Sequence, residues 1–136
     1  MLPLRYARRW QVASLIILLL VLAATLMPAV WFWDDRFNAV SWFEDIDKWL
    51  HGLTFLALAI WFTGLYRKRS YWRIGFGLLA FGLVIEACQR LVSYRTADWL
   101  DVGADAGGII AGLVIGAVGV GGWCLRAENR LAKRRH

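Results

Sequence analysis

Prolines, cysteines and charges are scarce in this chain: two Pro and two Cys among 136 residues, and only 19% Asp, Glu, Lys and Arg. With so few prolines, little interrupts long helices. With so little charge and 60% hydrophobic residues, a soluble domain of this size is excluded, because a small sphere cannot hide that much apolar surface. The sequence also lacks a Gly-rich phosphate loop leading into a helix, a Ser-centred nucleophile elbow, paired metalloprotease histidines and a polar phosphatase signature. Cys88 and Cys124 fall on predicted helices at depths most of a bilayer apart, so they cannot join in an intramolecular disulfide. Neither belongs to a zinc or redox spacing, and both read as small apolar packing residues.

Long apolar runs fill the sequence instead. Four of them, at about 11–31, 49–66, 72–92 and 99–125, are each long enough to cross roughly 30 Å of hydrocarbon as a helix. The first contains VASLIILLLVLAATLMPAV without one charge. Arg5, Arg8 and Arg9 precede it as they would a signal peptide, but it is longer than a usual signal core and no A-x-A site ends it. Three further spans follow, so it is read as a retained signal-anchor helix. The expected fold is an all-α, four-helix transmembrane bundle over 11–125, between a basic N-terminal segment, 1–10, and a basic tail, 126–136.

A formal net charge of +6 would suggest nucleic acid in a soluble protein, but here the location of the charge changes its meaning. Twelve of the 16 basic residues lie before the first span, around the loop between the second and third, or in the tail. Every acidic residue except Glu128 lies on the other side. By the positive-inside rule both termini are cytoplasmic, and the basic clusters orient helices and meet anionic lipid headgroups rather than nucleic acid. Trp10, Trp31, Trp33, Trp49, Tyr66, Tyr71, Trp72, Tyr94, Trp99 and Trp123 fall near predicted helix ends, where amphipathic rings anchor at the headgroup level.

The residues that membrane spans should avoid carry the functional signal. Asp47, Lys48 and His51 open the second helix, Glu86, Gln89 and Arg90 end the third, and Asp98, Asp101 and Asp105 open the fourth. The topology puts all of them at one depth on the outer side. Spacings of three and four place each set on one helical face. The last face continues as Gly108, Gly112 and Gly116, which would let a neighbouring helix approach closely. Glu86 lies a turn or two inside the hydrocarbon boundary, where an unpaired carboxylate is expensive, so it needs a proton, a cation or donors. An outward-facing polar pocket is therefore expected, against the alternative of an ion-paired plug that only fixes helix register. Asp34, Asp35, Glu44 and Asp45 are read as a solvated loop.

This arrangement resembles the VanZ-like family of small membrane proteins, whose pattern has Asp-Lys-x-x-His opening one helix and Glu-x-x-Gln at the end of the next. Asp47, Lys48, His51, Glu86 and Gln89 match it, and Arg95 and Asp101 match the family's Arg with an Asp six residues on. Gly108 and Gly112 also fit, and the resemblance covers roughly residues 47 to 116. Asp98 and Asp105 stand where the family often has Ser and Asn, which makes a cation-binding or proton-sharing site more plausible. The resemblance implies a bacterial inner-membrane protein of the cell envelope. The named member is associated with lower susceptibility to a lipid-tailed glycopeptide antibiotic. A phosphotransbutyrylase label carried by some members finds no support in these residues.

Three functions remain open at this stage. The first is a binding or envelope-modulating protein that recognises a polar headgroup or lipid-linked glycan at the outer leaflet, with Arg95 and Lys48 holding anionic oxygens. The second is a membrane-embedded lipid hydrolase or transferase, in which Asp47 orients His51 as a base or a cation held by Asp98, Asp101 and Asp105 activates water. The third is an ion- or proton-conducting oligomer. Membrane lipids are the expected partners; the sequence specifies no cofactor, no metal and no oligomeric state.

Overall fold

The computed structural model describes residues 1–26, 40–91 and 99–133, with the backbone alone over 40–47. Within these residues every regular element is helical. The order is α1 (Ala7–Leu26), α2 (Val40–Leu65), a 3-10 turn (Lys68–Ser70), α3 (Tyr71–Arg90), α4 (Trp99–Ile115) ending in a π-helical turn (Gly116–Val120), and α5 (Trp123–Lys133). Four segments, Ala7–Leu26, Lys48–Leu65, Lys68–Arg90 and Trp99–Val120, are long and apolar enough to cross a membrane.

The tightest contact joins α2 to α4, and small residues explain it. A Cβ at Gly108 would overlap the Gly52 carbonyl, and one at Gly112 would lie 2.6 Å from the Ala59 Cβ and 2.7 Å from the Leu56 carbonyl oxygen. At Gly116 it would meet the Thr63 side chain at 2.5 Å. One glycine stripe on α4 thus brings two backbones together, with dispersion replacing the hydrophobic drive that lipid cannot supply. α3 completes the core through Ile74, Leu78 and Ile85, packed with Phe55, Leu58 and Ala59 of α2 and Ile109 of α4.

Helix α1 is peripheral. Val12, Leu15, Ile16, Leu19 and Leu20 are exposed, as suits a helix that is apolar all round and bathed in lipid. Polar contacts hold it: Trp61 Nε1 donates to Ser14 Oγ at 2.9 Å, and Gln89 Nε2 donates to the Thr25 carbonyl at 3.0 Å.

Two boundaries differ from the sequence reading. The second helix begins at Val40, well before residue 49, so Glu44 and Asp45 belong to a helix rather than a loop. The fourth stops at Val120 instead of running to 125, because Gly121 and Gly122 break it, Gly122 at φ 74°. The chain then turns into α5, whose Arg126 guanidinium caps the carbonyls of Gly119, Val120 and Gly121. Residues 126–133 are accordingly a docked helix and not a tail. Asp34, Asp35, Trp31, Trp33 and Tyr94 lie outside the described residues.

The docking of α5 gathers one end of the molecule. Leu2 N–H donates to the Leu65 carbonyl at 2.8 Å, Gly122 N–H to the Thr63 carbonyl at 3.0 Å, and Trp123 Nε1 to the Ile60 carbonyl at 3.3 Å. The first two donors satisfy carbonyls that the last turn of α2 would leave open. Trp10, Trp61 and Trp123 pack on one another with ring centroids 5.4–5.7 Å apart. Trp10 and Trp123 are thus internal packing groups of this end, whereas Trp49, Trp72 and Trp99 are exposed. Tyr71 is also buried, its hydroxyl 3.3 Å from the Thr63 carbonyl.

Candidate functional site

The stretch of α2 around His51, the end of α3 and the start of α4 meet on the side away from α5. His51, Glu86, Gln89, Asp101 and Asp105 are all buried there. Helix geometry explains the grouping: Asp101 and Asp105 share a face of α4 one turn apart, and Glu86 sits one turn after Gly82 on α3.

Asp105 stands at the centre. Its Oδ1 lies 3.1 Å from His51 Nδ1, within hydrogen-bond distance when that nitrogen carries the proton. Its Oδ2 lies 2.6 Å from where a Cβ on Gly82 would be, so the missing side chain at Gly82 makes room for the carboxylate against α3. Glu86 shares this region with Asp101, His51 and Asp105, with Arg90 the further charge that acts on it. Among the described residues, both Glu86 oxygens and Asp105 Oδ2 are buried without a hydrogen-bond partner. Glu86 is only 3% exposed and Asp105 1%. Three acceptor atoms without donors in so dry a place are unusual, because native proteins rarely leave buried polar groups unpaired.

The sequence-derived candidates therefore divide. His51, Glu86, Asp101 and Asp105 come together. Gln89 is beside them, but its amide nitrogen is used to hold α1. Arg90 packs over the Trp99 ring at 5.6 Å. Lys48 is half-buried at the start of the span. The Asp47 side chain, Arg95 and Asp98 lie outside the described residues. Among the described residues Asp105 lies within hydrogen-bond distance of His51. Within the described residues no group of three or more His, Cys, Asp or Glu is placed to hold a metal ion.

Two features escaped the sequence reading. Gly82 was legible only as the residue one turn before Glu86, a spacing that puts a gap on the carboxylate's own face. Glu128 was the lone acid among basic residues at the far end, and the structure gives it three donors: Arg5 N–H at 2.7 Å, Tyr6 N–H at 3.1 Å and Trp10 Nε1 at 2.8 Å. Burial alone would raise the Glu128 pKa, but these donors and the nearby Arg5 charge outweigh it and hold the carboxyl below its usual range. Glu128 clamps α5 to the start of α1.

Comparison with family models, curated proteins and solved structures returns no match for the chain.

Proposed function

We propose that this is a VanZ-like protein of a bacterial cytoplasmic membrane, with both termini cytoplasmic, that binds a lipid or lipid-linked envelope ligand at its outer, polar end. One observation carries the reading: the three unpartnered acceptors of Glu86 and Asp105. A buried acceptor without a donor costs about 1–3 kcal/mol, and more when charged, so the cluster favours a partner that supplies donors. An ammonium headgroup or the hydroxyls of a lipid-linked glycan has that chemistry. This revises the expected ligand from anionic oxygens to donor groups. Because His51, Glu86 and Asp105 are each at most 4% exposed, binding includes an opening step.

The test is a mass spectrum of the protein extracted with its native lipid. A ligand bearing an amine or several hydroxyls is expected on the wild type, reduced at least tenfold in Glu86→Gln and Asp105→Asn through loss of a charge-assisted hydrogen bond. An identical lipid complement in all three proteins would sink the reading.

The His51–Asp105 contact favours a second reading, an enzyme acting on a membrane lipid with His51 as a base oriented by Asp105. Turnover of labelled envelope lipid that survives His51→Gln removes it. Conduction is less well supported, because the described core between the polar cluster and Thr63 consists of Phe55, Leu58, Ala59, Leu78 and Ile109.

A further inference from the structure

Away from the polar cluster, α1 and α3 separate. They are tied at the polar end by Gln89 and Thr25, and α1 is held at the other end by the Glu128 clamp and the Leu2–Leu65 bond. Between those ties, in the half nearer α5, lies an open cleft of about 380 Å³. Its walls are apolar, with Leu18 of α1, Phe62 of α2 and Ile74, Leu78 and Phe81 of α3. Its rim is polar and cationic, with Tyr66, Ser70 and Arg73. From Ser70 to Phe81 the cleft follows α3 for about 16 Å at the helical rise. Gly77 lies along it, and a Cβ added there would meet nothing within 4 Å. The space is therefore real room beside the backbone, not a gap that helix packing requires.

We infer that this cleft is a second site, for one anionic phospholipid, with an acyl chain along Gly77 and the phosphate at Arg73. Charge and shape agree on the occupant. The apolar walls lie on a membrane-spanning helix, where acyl chains are the solvent. The rim presents a guanidinium and two hydroxyls to a phosphate, and Arg67, Lys68 and Arg69 immediately before Ser70 add positive charge to the same end. A zwitterionic lipid fits the walls equally well but gains less at the rim, so headgroup charge is the discriminating variable.

The experiment uses the full chain in neutral detergent micelles containing equal phosphatidylglycerol and phosphatidylcholine, with retained lipid counted by native mass spectrometry. The wild type is expected to retain phosphatidylglycerol about fivefold over phosphatidylcholine, from one cation near the headgroup. Arg73→Gln should lower that ratio, with Arg67, Lys68 and Arg69 leaving a residual preference, while lipid is still held. Gly77→Leu should lower retention of both lipids, and Gly77→Ala should do so by less, with helicity and melting temperature in each no lower than in the wild type. Equal retention of the two lipids by the wild type, or retention unchanged in Gly77→Leu, overturns the proposal. Lowered helicity in Gly77→Leu would also overturn it, because the cleft would then be needed for packing.

Discussion

Glu86 and Glu128 are both buried glutamates, at opposite ends of one small membrane protein, and their surroundings differ completely. Glu128 receives three N–H donors from the N-terminal segment and α1. Among the described residues Glu86 receives none, and Asp105 of the same cluster has an unpartnered oxygen of its own. The first arrangement is complete as folding leaves it. The second leaves buried acceptors open, which the proposed ligand would fill. On the proposed reading, counting donors separates a structural carboxylate from a ligand-binding one, without reference to position in the chain.

The same substitution at both ends should break the comparison most visibly. Glu128→Leu leaves three donors without an acceptor and is expected to lower stability by about 3 kcal/mol or more, seen as a fall in melting temperature in detergent. Glu86→Leu removes an unsatisfied group and should leave stability unchanged or raise it by about 1–2 kcal/mol. Loss of stability in both variants would mean that Glu86 is a structural group too.

Gly82→Ala sharpens the polar side. The new methyl would displace the Asp105 carboxylate from its 3.1 Å contact with His51, at a cost of about 1–2 kcal/mol. Nuclear magnetic resonance of the His51 ring should show the changed environment.

Acid sharpens the other side. The Glu128 pKa is lowered on folding, so its contribution is fully present above the unfolded value near 4.5 and is lost as pH falls through the lower folded value. In that acid window the stability difference between wild type and Glu128→Gln should shrink, and above it the difference should be constant.

The smallest expected effect is on Cys124. Burial pushes its thiol up to about 12, so alkylation at pH 8 should be slow in the folded wild type. It should quicken in Glu128→Ala, where α5 is no longer clamped.

Much of this molecule was legible in the sequence for a simple reason: hydrocarbon imposes a minimum length on every span. That constraint exposed four apolar segments, and helical spacing put Asp101 with Asp105 and Glu86 near the end of its helix. The break at Gly121 and Gly122 was harder to see, because the apolar run continues through Val120 to Trp123 and Leu125 and glycines are common in membrane helices. The Glu128 clamp was invisible for a different reason. It joins residues more than a hundred positions apart, and two of its three donors are backbone N–H groups that every residue carries. The contact between His51 and Asp105 was not legible, because spacing within a helix points only to Asp47 and the approach of α4 to α2 depends on how closely glycines let the two helices pack.

Difference infrared spectroscopy on delipidated protein, before and after adding lipid extracted from its native membrane, tests the central claim most directly. A carboxyl band should shift on adding lipid, as donors reach the unpartnered oxygens, and that shift should disappear in Glu86→Gln. Superimposable spectra with and without lipid would contradict it.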